Sequence, residues 1–158
     1  MLENKSKIIK PVSNLPMIGW REWVSLPELG IAKIKAKVDT GARTSALHAF
    51  SLKLFHANGR DQVTFEIHPL QHNTDTIVSC TANVIDRRPV TDSGGHTEER
   101  LVIMTPVVIA GHVLPIEITL TERENMLFRM LLGRSALRKQ FIVNPARSFV
   151  ATRKEKIK

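Results

Sequence analysis

The chain has 158 residues, 42% of them hydrophobic and 24% charged, with a net charge of +8 and a pI of about 10.1. That length favours one domain, and a domain of this size hides roughly two-thirds of its unfolded surface in a core. One cysteine, Cys80, excludes an intrachain disulfide and fits a reducing compartment. The longest apolar run, Leu101 to Ala110, is too short to span a bilayer. The first residues have no apolar core of signal-peptide length, so the expectation is a cytoplasmic protein that makes no use of a membrane.

Residues 1–17 are polar, carry Pro11 and Pro16, and read as an N-terminal arm. Residues 18–151 read as one domain, and 152–158 as a basic tail. Much of the excess charge sits at these ends, in Lys5, Lys7 and Lys10 and in Arg153, Lys154, Lys156 and Lys158. Trp20 and Trp23 suit a half-buried strand, and Pro27-Glu28-Leu29-Gly30 signals a turn.

The clearest strand follows. Ala32, Ile34, Ala36 and Val38 alternate with Lys33, Lys35 and Lys37, which puts apolar residues on one face and lysines on the other. The strand runs directly into Asp39-Thr40-Gly41. Phe50, Leu52 and Leu54 then alternate, Asn58-Gly59 signals a hairpin, and Val63, Phe65 and Ile67 return. Pro69 to Thr76 is a polar loop. Val78, Cys80, Ala82 and Val84 form another alternating strand. Residues 86–100 read as a long hairpin with a Gly94-Gly95 tip, feeding a buried strand over Leu101–Ala110. Gly111 turns the chain; Leu114, Ile116, Ile118 and Leu120 return. Glu122 to Asn125 is a turn. Met126 to Leu132 is apolar around Arg129, Gly133 breaks it, and 134–140 is the one candidate for a short helix. Phe141-Ile142-Val143 and Ser148-Phe149-Val150 read as closing strands. Many short strands between turns give an all-β class, a small barrel or sandwich.

The chemistry centres on the turn at 39–41. A hydrolase without metal or serine must activate water with an ionised carboxylate and protonate the carbonyl with an acid. Two carboxyls about 3 Å apart do both, because they share one proton. Gly41 allows close backbone approach and a positive φ, with its N–H available to a carboxylate. Thr40 can anchor the loop across to a partner, Ala42 is small enough to pass under a peptide, and Ser45 can bond a backbone group.

The run Val38-Asp39-Thr40-Gly41-Ala42-Arg43-Thr44-Ser45-Ala46-Leu47 resembles the active-site motif of retropepsin-like aspartic proteases. Met130-Leu131-Leu132-Gly133-Arg134 is similar to the second motif of that fold, which crosses behind the catalytic loop. The resemblance covers about residues 18–150. It implies a small closed acid-protease barrel with one short C-terminal helix, Asp39, Thr40 and Gly41 as catalytic residues, and Ser45, Leu132, Gly133 and Arg134 as their support. The 86–100 hairpin falls where the family has its flap. More narrowly, residues 37–49 resemble a bacterial family labelled ATP-dependent zinc proteases, some of which occur with ATP-grasp ligases that add glutamate to proteins. A functional link to such a ligase is therefore implied.

Arg43 departs from the retroviral pattern, which has an acid there to pair with the arginine of the second motif. Either Arg134 finds another acid, or Arg43 and Arg134 line an anionic site. With Arg87 and Arg88 at the hairpin base, and Ala42, Gly94 and Gly95 beside the peptide path, the substrate expected is a peptide or protein with acidic character. There is one Asp-Thr-Gly, so a carboxylate pair requires a homodimer with Asp39 of each copy at the two-fold axis.

Other readings are weaker. His68 and His72 would pair on a metal only on a helix, Pro69 lies between them, and no His-Glu-x-x-His is present; neither a metal nor another cofactor is expected. No Gly-rich run precedes a Lys-Ser/Thr pair, so ATP would enter through a partner. Aromatics at 5% and the absence of tyrosine disfavour nucleic acid. A catalytically inactive retropepsin-like binding module, and a zinc-dependent peptidase, are the alternatives.

Overall fold

The computed structural model describes residues 14–123 and 126–152. Most of the predicted arm and tail, and part of the turn predicted at Glu122–Asn125, lie outside them. Among the described residues, eleven strands and one α-helical turn form in chain order, with a 3-10 turn over Pro27–Leu29 between the second and third strands: β1 Met17–Gly19, β2 Arg21–Leu26, β3 Ile31–Asp39, β4 Ser45–His48, β5 Phe50–Ala57, β6 Arg60–Ile67, β7 Val78–Thr91, β8 Thr97–Ile109, β9 His112–Thr121, β10 Met130–Gly133, α1 Arg134–Leu137 and β11 Ile142–Asn144.

The main sheet runs β2-β3-β10-β4-β9-β8-β7-β6-β5, and a Ser25↔Val108 bridge between β2 and β8 closes its first six strands into a ring. Strands β7, β6 and β5 continue outward from that ring. The core fills it with Leu26, Ile34, Leu47, Ile103, Ile118, Leu120, Met130 and Leu132, each at most 2% exposed. The fold is therefore all-β with one short helix, as the alternating patterns predict. The turns follow local chemistry: Asn58 and Gly59 at φ 55° and 75°, and Ala110 and Gly111 at φ 52° and 82°, both make the two-residue hairpin geometry that matches strand twist.

Four strand expectations change. Ala32 points outward and Ile31 is buried instead, because a bulge shifts the β2–β3 register between Val24 and Leu26. Leu54 is exposed, since β5 is the edge strand and its pairing with β6 is irregular between Phe50 and Lys53. The run over Leu101–Ala110 is not buried throughout: Met104 is exposed, and Leu101, Pro106 and Val108 are half-buried. The predicted strand at 148–150 does not form.

The chain there is held otherwise: the Phe149 N–H donates to the Arg21 carbonyl, and Glu22 takes the amides from Val150 onward. Glu22 is wholly buried in β2, on the same face as Val24 and Leu26. Its Oε2 accepts hydrogen bonds from the backbone N–H groups of Gly19, Val150 and Ala151, and its Oε1 accepts from the N–H and hydroxyl of Thr152. The amides that a strand would spend on a neighbour are spent on one carboxylate. Glu22→Gln puts an amide donor against these donors and is expected to cost about 3 kcal/mol. Urea unfolding measures it; a change under about 1 kcal/mol would contradict the anchoring role.

Trp23 stacks on Phe149 at 6.0 Å, Trp20 meets Phe128 edge-on at 5.9 Å, and the Arg21 guanidinium lies 4.7 Å and 4.9 Å from the Trp20 and Phe149 rings. The Lys33 and Lys35 ammonium groups lie 4.6 Å and 5.3 Å from the Trp23 ring. Both tryptophans are thus packing residues, the reading their sequence context favours.

Cys80 is buried and donates its thiol to the Leu29 carbonyl. Burial pushes the thiol up to about 11, because the thiolate would be stranded in apolar surroundings. The native protein is expected to leave Cys80 unlabelled by a thiol reagent at pH 8 and to react fully in denaturant. Rapid native labelling would show that the β6–β7 region opens.

Candidate active site

The site is built where two parallel strands end together. β10 lies between β3 and β4, parallel to the first with Leu132 opposite Val38 and Gly133 opposite Asp39, and antiparallel to the second. A chain leaving β3 must turn at 40–44 to re-enter as β4 on the other side of β10. The Asp39 loop is therefore strapped over β10 by topology.

Hydrogen bonds fix it there. The buried Ser45 hydroxyl accepts from the Gly133 N–H at 3.0 Å. The Arg134 N–H donates to the Ala42 carbonyl at 2.8 Å and the Ser135 N–H to the Arg43 carbonyl at 3.1 Å. Within the loop, the Gly41 N–H donates to Asp39 Oδ1 at 3.1 Å, and the Ala42 N–H to the Asp39 carbonyl at 3.1 Å. Gly41 does not take the positive φ that the sequence suggested. Its need is for space: a Cβ there would stand 3.3 Å from Asp39 Oδ1.

Arg134 resolves the question set by Arg43 in a way that neither expectation covered. Its guanidinium donates to the carbonyls of Gly41 at 3.1 Å and Thr40 at 3.4 Å, tying down the loop, and among the described residues it meets no acid. A guanidinium offers five donors and carbonyls accept them as readily as carboxylates do. Arg43 is exposed at the loop surface, and so is Thr40.

The hairpin predicted at 86–100 forms from the ends of β7 and β8, with its tip over 92–96. Asp92 shapes the tip, its Oδ1 accepting from the N–H groups of Gly94 and His96 at 2.9 Å each. Gly95, at φ 83°, completes the turn. Between this hairpin and the Asp39 loop lies a cleft of about 440 Å³, lined by Asp39, Ala42, Val90, Asp92, Arg100 and Arg123 among others. A second cavity of about 290 Å³ adjoins it, bounded by Gly41, Ala42, Arg43, Arg88 and Val90.

The predicted site residues are thus divided. Asp39, Gly41, Ala42 and Arg43 meet at the clefts, with Ser45, Leu132, Gly133 and Arg134 beneath or beside them. Arg88 reaches the second cavity, but its guanidinium is held 2.7 Å from both Glu117 and Asp86. Those bonds, Glu117 first, raise its pKa further, and Arg88 in turn holds the Asp86 carboxyl below its usual range. Arg87 is exposed and lines neither cavity.

Sequence reasoning missed Arg100, Asp92 and Arg123. Arg100 is 8% exposed, bonded through Nε to Glu98 at 2.6 Å and through Nη1 to Thr119 at 3.4 Å. Burial pushes Glu98 up, but the Thr121 hydroxyl and Arg100 outweigh it and hold the carboxyl below its usual range. Arg123 pairs with Asp92 at 3.1 Å. Arg100 shares its parity with both the buried Val102 and the exposed Met104, so spacing along β8 did not mark its burial. Asp92 before Ser93-Gly94 reads as an Asx turn.

Among the described residues, no three His, Cys, Asp or Glu side chains gather as a metal would require. The described residues do not fit zinc. Also among the described residues, no helix is long and apolar enough to cross a membrane.

Comparison with known proteins places this architecture. Four bacterial relatives called "Probable alpha-L-glutamate ligase" match it, including those of Desulfotalea psychrophila, 48% identical over 82% of this chain, and Shewanella halifaxensis, 44% identical over 84%. The chain spans only 28% and 29% of those two proteins. The Legionella pneumophila protein Lpg0085, of unknown function, shares the fold with a TM-score of 0.73 at 23% identity, over 86% of this chain and 98% of its own. Residues 17–154 match the family described as "Retropepsin-like aspartic endopeptidase RimB". The chain belongs to this RimB-like, retropepsin-like family.

Proposed function

We propose that this chain is an aspartic endopeptidase, acting as a homodimer on acidic or glutamate-tailed protein segments. The observation that carries the reading is Asp39 itself: a carboxylate held by its own loop at the end of β3, facing a peptide-sized cleft under a hairpin. One Asp39, ionised, takes a proton from water as the water attacks the scissile carbonyl. The other, protonated, donates to that carbonyl oxygen. The exposed Thr40 stands ready to bond across the two-fold axis. A basic chain, with Arg43 at the cleft, suits an anionic peptide.

The kinship with proteins named as glutamate ligases supports a glutamate-rich substrate: a hydrolase joined to or working beside a ligase would trim what the ligase adds. ATP would be used by that partner. A binding module without activity, presenting the same cleft, is the second reading. Incubating the chain with a peptide ending in several glutamates separates the two, with mass spectrometry of the products and sedimentation of the protein. Cleavage by a dimeric species is expected. A strictly monomeric protein at micromolar concentration, or binding without cleavage across pH 4–8, would overturn the endopeptidase assignment.

A further inference from the structure

Four arginines stand near the two cavities, and they differ in what they can still do. Arg88 is spent on Asp86 and Glu117. Arg100 is buried and held between Glu98 and Thr119. Arg43 lines the smaller cavity from the loop surface. Arg123 lines the same cleft as Asp39, and one nitrogen, Nη1, meets Asp92 Oδ2 at 3.1 Å. Its side chain is 38% exposed, so solvent and ligand can reach it.

Asp92 can give up this contact without being stranded. Its other oxygen accepts the Gly94 and His96 N–H groups. The His96 bond is the largest influence holding its carboxyl below the usual range, with burial opposing, and Gly94 and Arg123 adding less. The tip turn therefore survives the loss of the ion pair, while the tether from the tip to the end of β9 does not.

We infer that Arg123 is a specificity-determining residue that exchanges Asp92 for a side-chain carboxylate of the substrate. Asp92 occupies the acidic-residue subsite in the free chain. An acidic peptide supplies a carboxylate that can meet the guanidinium with both oxygens, where Asp92 meets it with one. Binding therefore unfastens the hairpin tip from residue 123. A neutral peptide offers nothing in exchange and leaves the tip tethered. This rests on the cleft being a peptide site, as proposed above.

The test compares binding of a fluorescent hexaglutamate peptide and its hexaglutamine counterpart to the full chain by anisotropy. Wild type is expected to prefer glutamate by about tenfold or more, the scale of one charge-assisted contact. Arg123→Gln should abolish the preference, and Arg123→Lys should restore part of it. Asp92→Asn keeps an oxygen for the tip turn and removes the competitor, so it should tighten glutamate binding alone. An undiminished preference in Arg123→Gln, weaker glutamate binding in Asp92→Asn, or no preference in wild type would each overturn the exchange. Because binding is read, a chain that fails to cleave can still pass this test, and one that cleaves can still fail it.

Discussion

Asp39→Asn is expected to lower peptide turnover by about 10²–10⁴-fold, the range for removing a positioned general acid–base, while leaving the fold intact. The asparagine Oδ1 can still accept the Gly41 N–H that Asp39 accepts at 3.1 Å. The loop is held chiefly through other groups, Ser45, Ala42, Arg43 and Arg134. What is lost is the ability to ionise. A shared dyad makes a sharper prediction than loss of activity. When variant and wild-type chains exchange freely at constant total protein, every mixed dimer lacks one carboxylate. Activity should then fall as the square of the wild-type fraction. A linear fall would mean that each chain works alone, and unchanged turnover in the pure variant would remove Asp39 from the mechanism.

Gly133→Ala should be the most damaging single-methyl change near the site. A Cβ at Gly133 would stand 2.6 Å from the Thr44 carbonyl carbon, 2.8 Å from its oxygen and 2.9 Å from the Ser45 nitrogen. All three are backbone atoms, and β10 is flanked by β3 and β4, so neither side can swing away. The cost expected is about 3 kcal/mol, the upper end of overpacking. The Gly133–Ser45 bond lengthens with it, and turnover per folded chain falls because the Asp39 loop loses its floor. Gly41→Ala is the informative contrast. Its φ needs no glycine, and its Cβ meets only the movable Asp39 carboxylate at 3.3 Å. Stability should change by under about 1 kcal/mol while activity drops, because the carboxylate must turn to clear the methyl. Urea midpoints and turnover on the same preparations check both. A Gly133→Ala protein within about 1 kcal/mol of wild type would show that the loop yields.

The reach of the sequence can be seen residue by residue. Period-two runs around Val63, Phe65 and Ile67 and around Ile116, Ile118 and Leu120 named the buried faces correctly, because the pleat converts spacing directly into side. Asn58-Gly59 named a hairpin, because only certain residues tolerate two successive positive φ values. The Asp39 and Gly133 runs carried a family likeness strong enough to predict the class of fold and the pairing of two distant segments.

Tertiary structure decided the rest. Ala32 faces outward because of a bulge against β2, and a bulge depends on the partner strand. Residues 148–150 form no strand: the Phe149 N–H donates to the Arg21 carbonyl, and the N–H groups of Val150, Ala151 and Thr152 go to Glu22, 128 to 130 residues away. Arg134 is satisfied by loop carbonyls, which have no sequence signature. Arg100, Asp92 and Arg123 share a cleft with Asp39 only once β8 and β9 pair. By itself the sequence determined most strand sides and the hairpin turns, since these rest on dihedral preference and spacing within a few residues. Which polar groups meet across the fold was decided only by the tertiary structure, because hydrogen bonds and ion pairs form between whatever long-range pairing brings together.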